Sequence, residues 1–181
     1  MSSEPAPTAH TTVTQPPRIA VLTISDGVAS GRRTDVSGAA ITAWIDGRAA
    51  TLIAHDTVPD NAAAIVPALL VLADRADVDV ILTTGGTGLT ARDVTPEATR
   101  AVIDRDVPGI AERLRAVGAD HTPYAAISRG VAGTRGSTLI VNLPGSPGGV
   151  RDGLAVLADI IDHAVQLLRG ADTEVHDPLH G

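Results

Sequence analysis

The sequence predicts an α/β fold, a three-layer α/β/α domain around a mostly parallel central sheet, and three observations lead there. Short β-branched runs at 19–24, 51–58, 78–84 and 138–142 alternate with stretches of helical periodicity, the arrangement of strand–helix–strand crossovers. Val78, Val80, Ile81 and Leu82, with Thr83 and Thr84, lack the polar alternation of a half-exposed strand and read as a central strand covered on both faces. Three loops, 25–27, 85–93 and 143–149, each follow a strand directly, so they converge on the carboxyl edge of the sheet, where such folds bind ligands.

Taken in order, residues 1–17 hold Pro5, Pro7, Pro16 and Pro17 among Ser and Thr without apolar periodicity, and read as a disordered tail. The domain is expected over 18–170, with a frayed polar tail at 171–181. Ile19 to Ile24 form the first strand, closed by the turn Ser25-Asp26-Gly27. A helix follows, capped by Asp35 or Ser37, and buries Ile41, Trp44 and Ile45 at i, i+3, i+4 spacing. After the strand at 51–58, Pro59-Asp60-Asn61 opens a helix over 62–73. Beyond the glycine loop, Thr95 reads as a cap and Pro96 as the first helical residue, where a missing N–H costs nothing. Pro108-Gly109 breaks that helix and 110–117 restarts it. A strand pair turns around Arg135-Gly136-Ser137, and one amphipathic helix carries Val150, Leu154, Leu157, Ile161, Val165 and Leu168.

Composition narrows the chemistry. The chain has 181 residues, enough for one domain with a substantial core, and with no Phe, one Trp and one Tyr that core must be aliphatic. All 14 basic residues are arginines. Without lysine there is no Walker-type lysine, Schiff base or lysine nucleophile, so a phosphate must be held by Arg, backbone N–H, hydroxyls or a metal. A net charge of −7 argues against broad nucleic-acid binding, and zero cysteines exclude thiolate catalysis and Cys-ligated metal. No apolar stretch reaches membrane-spanning length and the N-terminus lacks a signal-peptide pattern, so a cytoplasmic location is expected, with neither membrane nor nucleic acid as a partner.

The most informative stretch runs from Val80 to Thr99: strand, Gly85-Gly86-Thr87-Gly88, the pair Arg92-Asp93, then a helix start. Glycine lets a ligand approach the main chain where a Cβ would obstruct it. Asp26, Asp60 and Asp93, each at a strand-to-helix junction, form a candidate oxygen-ligand set for magnesium. Equally, Asp60 is placed to cap a helix and Asp26 to make a turn. The dinucleotide fingerprint and the Walker loop are both absent. The six histidines show no H-x-x-x-H pair and read as surface residues, and Ser128 and Ser146 lack a nucleophile-elbow context.

Thr83-Thr-Gly-Gly-Thr-Gly88, Arg92-Asp-Val-Thr-Pro-Glu-Ala-Thr99, Ser25-Asp26 and Asn142-Leu-Pro-Gly145 together resemble the MoaB/Mog family of molybdenum cofactor biosynthesis proteins, over about 18–169. The resemblance implies a molybdopterin adenylyltransferase that converts Mg-ATP and molybdopterin to adenylyl-molybdopterin and pyrophosphate; the alternative is a non-catalytic molybdopterin carrier of the same fold. It implies Asp60 and Asp93 as the essential aspartates, with magnesium assigned to them. It also implies a nucleotide and pterin site from Ser25, Asp26, Thr84, Gly85, Gly86, Thr87, Gly88, Arg92, Ser128, Arg129, Asn142, Pro144, Gly145 and Ser146. Arg92, Arg129 and Arg135 are the candidate phosphate clamps. A serine that some relatives place near the pterin is Gly118 here. A homotrimer, and contact with a downstream molybdate-inserting enzyme, are expected on the same ground.

Overall fold

A computed structural model describes residues 15–170; of the tails predicted at 1–17 and 171–181, residues 1–14 and 171–181 lie outside the described residues. Six strands, β1 (Arg18–Ile24), β2 (Thr51–Val58), β3 (Val80–Thr84), β4 (Arg105–Asp106), β5 (Ala132–Arg135) and β6 (Thr138–Leu143), form one sheet of order β2-β1-β3-β6-β5-β4. β1, β2, β3 and β6 are mutually parallel, β5 pairs antiparallel to both of its neighbours, and the hairpin it forms with β6 turns where the sequence placed it. The predicted mostly parallel three-layer architecture is therefore the one observed.

Side chains alternate across each strand, and the two faces bury separate aliphatic clusters. Ile19 and Val21 of β1 face Ile41 and Ile45 of α2 (Val36–Asp46), Leu154 and Leu157 of α6 (Pro147–Ala158) and Ile161 of α7 (Ile161–Leu168). Ala20, Leu22 and Ile24 face Ile65, Leu69 and Leu72 of α3 (Ala62–Ala73) and Val102 after α4 (Thr95–Arg100). Two elements complete the set: the single-turn α1 (Asp26–Ala29), capped by Ser25, and the 12-residue α5 (Pro108–Ala119), followed by a 3₁₀ turn over Pro123–Ile127.

Several local expectations change. Residues 15–17 are not loose: Pro17 is buried, its carbonyl accepts Thr51 N–H, and the Arg169 guanidinium donates to the Gln15 and Pro16 carbonyls. Trp44 is only half buried, with the Arg48 guanidinium 4.5 Å above its ring. Thr95 is not a cap. It is the first residue of α4, fully buried, and its hydroxyl donates to the Gly85 carbonyl at 2.9 Å. Pro108 begins α5, since its missing N–H suits the first turn, and the two-residue β4 lies between α4 and α5. The predicted last helix is two, α6 and α7, parted at Asp159–Ile160.

Register fixes what matters for function. Ile24 stands beside Val58, Thr23 beside Thr84, and Thr84 beside Leu143, so the loops after β1, β2, β3 and β6 leave one edge of the sheet together.

Candidate functional site

The glycine loop is held from beneath by main-chain contacts that only glycine allows. Gly85 and Gly86 have φ of +103° and +64°. A Cβ on Gly85 would lie 2.2 Å from the Ile24 carbonyl oxygen, and one on Gly86 2.3 Å from Thr95 Oγ1. The late loop docks on the early one: Thr84 Oγ1 donates to the Pro144 carbonyl at 2.7 Å and Ser37 Oγ to the Gly145 carbonyl at 2.8 Å. Ser146 then caps α6, its hydroxyl accepting Gly149 N–H at 3.2 Å.

Asp60 and Asp26 clasp each other through main-chain donors. Asp60 Oδ2 accepts Asp26 N–H at 2.6 Å and Asp26 Oδ1 accepts Asp60 N–H at 3.1 Å. The cap of α3 is Asn61, so Asp60 is free of the capping role the sequence allowed it. Arg92 pairs with the other oxygen of Asp26. The Asp60 N–H first, and then Arg92, hold the Asp26 carboxyl below its usual range.

Asp93 stands apart from that pair. Its Oδ2 accepts Thr90 N–H at 2.8 Å. Partial burial opposes its charge, but the hydroxyl and N–H of Thr90, the N–H of Gly88 and the nearby Arg129 outweigh this and lower its pKa, so it is ionised at neutral pH. The sequence grouped Asp26, Asp60 and Asp93 as one cluster. Among the described residues, no group of three or more His, Cys, Asp or Glu side chains is placed to hold a metal.

A cavity of about 570 Å³ opens beside the glycine loop, walled by Gly86, Thr87, Gly88, Asp93, Ser128, Asn142 and Pro144–Ser146. Ser25, Asp26, Asp60, Thr84, Gly85, Arg92 and Arg129 are not in its wall; they lie beneath or beside it. Of the opposite wall, only Gly118 was named from sequence as a position near the ligand. That wall comes from Leu114, Arg115 and Gly118 of α5, from Tyr124, Ala125 and Ile127 of the 3₁₀ turn, and from Asp152 and Gly153 of α6. His121, read as a plain surface residue, spans this wall: its Nδ1 is 3.0 Å from Asp152 Oδ2. The available signal was the resemblance, which put Gly118 near the pterin; the exposed apolar side chains of Tyr124 and Ile127 mark the wall only once the fold is known. Gly118 sits against Ala125, where a Cβ would come within 2.8 Å of that residue's own Cβ.

All three proposed arginine clamps already hold protein partners, Arg92 with Asp26 as described. Arg129 donates to the Gly88 carbonyl at 2.7 Å, to the Asp93 carbonyl and to Glu97, which makes it a strut under the loop. Arg135 is at the opposite edge of the sheet, bound to Asp74 at 2.8 Å. Asn142 is buried, with its amide shared among Val131 N–H, Thr83 Oγ1 and Thr99 Oγ1, so it joins β6, β3 and α4.

Residues 20–163 match the family model described as "Probable molybdopterin binding domain". The chain is 36% identical over 171 residues to the molybdopterin adenylyltransferase of Escherichia coli K12, covering 87% of this chain and 88% of that protein. It is 40% identical over 149 residues to the Drosophila melanogaster molybdenum cofactor synthesis protein cinnamon, covering 82% of this chain and only 25% of that longer protein. Among solved structures, the molybdopterin biosynthesis enzyme MoaB of Thermus thermophilus superposes with a TM-score of 0.79 at 49% identity, covering 84% of this chain and 96% of that one. Sequence, fold and loop geometry agree: the chain belongs to the MoaB/Mog family of molybdopterin-binding domains in molybdenum cofactor biosynthesis.

Proposed function

We propose that this chain adenylylates molybdopterin, consuming Mg-ATP and releasing pyrophosphate. The observation that carries the reading is one cavity whose wall includes both the exposed main chain of Gly86 and Gly88 and the ionised Asp93, with Asp60 on the same sheet edge, after β2, linked to the glycine loop through Asp26 and Arg92. A relative named for this activity aligns along most of its length.

In the reaction a phosphate oxygen of molybdopterin attacks the α-phosphorus of ATP, a new P–O bond forms, and the bond to the β-phosphate breaks. No protein nucleophile is needed. The work left to the protein is positioning and charge stabilisation. Gly86–Gly88 let the anions approach the main chain, and the apolar wall of Leu114, Ala125 and Ile127 takes the heterocycle.

Asp60 and Asp93 do not form a preformed metal site, but they are the carboxylates that would hold a magnesium ion arriving with the nucleotide. Asp60 and Asp93 supply only oxygen donors, each is anchored by main-chain N–H groups, and two carboxylates with substrate phosphates and water suffice for this cation. When bound there, magnesium would neutralise charge developing on the phosphates.

The test is to incubate the pure protein with molybdopterin and Mg-ATP and look for adenylyl-molybdopterin by mass spectrometry. Formation of the adduct with pyrophosphate is the expected result. Tight retention of unmodified molybdopterin would make the chain a carrier.

A further inference from the structure

Behind the shared wall of Ala111, Arg115, Ser128 and Gly130 lies a second cavity of about 360 Å³, also lined by Arg100, Arg129 and Asp106. In a chain of net charge −7, three guanidiniums around one small hollow are a marked local excess of positive charge. Their commitments differ. Arg129 is tied to the glycine loop and to Glu97. Arg115 gives one N–H to the Gly130 carbonyl at 3.1 Å and is half buried. Arg100, the last residue of α4, makes no ion pair or side-chain hydrogen bond among the described residues, although its charge reaches Glu97. Asp106 is the one carboxylate in the lining, and Glu97 is bonded to Arg129 while feeling Arg100 only through space.

We infer that this second cavity is a tetrahedral-oxyanion site, with Arg100 and Arg115 as its cations and the Ser128 hydroxyl as a further donor. Planar guanidiniums present paired N–H groups that match the oxygens of a phosphate-like anion. The hollow is smaller than the first cavity and its lining is more polar, which suits an anion better than a heterocycle, and one of its walls is the back of the molybdopterin cavity wall. The anion therefore comes from one of two sources: a free inorganic oxyanion, or a phosphate ester on a ligand in the larger cavity. Neither source depends on whether the chain carries out adenylyl transfer.

Isothermal calorimetry with inorganic phosphate at low ionic strength tests the site. Saturable 1:1 binding that weakens with added chloride is expected, since the cations are reached by solvent. Arg115→Gln and Arg100→Gln should each weaken it about tenfold, the loss for one charge-assisted hydrogen bond. Arg113→Gln, an exposed arginine of α5 outside the lining, should leave it unchanged. Arg100→Gln removes no structural bond, so its result stands even if Arg115→Gln unfolds. Displacement of phosphate by molybdopterin would assign the site to the ester, and simultaneous binding would assign it to a free oxyanion. Absent saturation, or equal affinity in the wild type and Arg100→Gln, would overturn the inference.

Discussion

The two edges of the sheet use the same residue types to opposite ends. At the amino edge, Asp79 is buried and accepts from Arg18 N–H, Nε and Nη2 at 2.8, 2.9 and 2.8 Å, and from the Arg169 guanidinium. Every direction around that carboxylate is filled by a charged or main-chain donor. Burial opposes its charge, yet the two arginines hold its pKa far below the usual carboxylate range. At the carboxyl edge, Asp60 accepts one main-chain N–H, and the Asp93 oxygens are met by the donors of a short loop alone, with Arg129 nearby but bonded to the Asp93 carbonyl rather than its carboxylate. A saturated carboxylate stabilises the fold. One with open lone pairs is available to a ligand.

Breaking the amino edge should give the largest stability effect. Asp79→Asn leaves two guanidiniums facing a neutral amide and is expected to cost about 3 kcal/mol, the low end for a broken buried pair because both arginines reach water. A urea titration checks this. The pH dependence has a definite sign. Because the folded pKa is depressed, the contribution is complete above the usual carboxylate range and is lost as pH falls through that range and below it, so the acid limb of the melting curve should flatten in Asp79→Asn.

Gly86→Val strikes the other edge. A β-branched side chain at φ +64°, driven against Thr95 Oγ1, should cost about 1–2 kcal/mol from backbone strain alone. It should also abolish molybdopterin binding while the sheet stays folded. Normal affinity in a folded Gly86→Val protein, measured by fluorescence titration, would remove the loop from the site. Thr84→Val is milder: it unpins Pro144 from β3 and is expected to cost about 1 kcal/mol, with a raised KM for molybdopterin and little change in kcat. Smallest of all, His121→Ala frees an exposed pair and should change stability by less than about 1 kcal/mol, while raising the dissociation constant for molybdopterin if that wall touches the ligand.

What could be read from the sequence follows the range of the interactions involved. Runs such as Ile19 to Ile24 and Val80 to Thr84 declare buried strands by themselves, and a glycine cluster directly after a strand declares a loop at the carboxyl edge. By contrast, β4 is two residues long and exists because Val107 N–H and Asp104 N–H reach the carbonyls of β5, which no local pattern encodes. Arg129 and Arg92 look alike in sequence. Only the fold shows that Arg129 lies under Gly88 and Asp93 while Arg92 reaches Asp26. Most of the α5 wall was missed for the same reason: Leu114 of α5, and His121 and Tyr124 just after it, reach the site only because α5 packs beside α6, while Gly118 was marked by the resemblance alone.

The claim that the carboxyl edge carries chemistry while the amino edge carries stability is tested most directly by Asp93→Asn. Asparagine keeps the size and much of the hydrogen bonding with the Thr90 and Gly88 N–H groups, and removes only the charge. The initial rate of adenylyl-molybdopterin formation, measured at saturating molybdopterin in a variant whose unfolding midpoint matches the wild type, should fall at least ~10²-fold, the loss expected when one preorganised electrostatic contribution is removed. An unchanged rate with unchanged magnesium dependence would show that Asp93 only braces its loop, and the distinction between the two edges would fail.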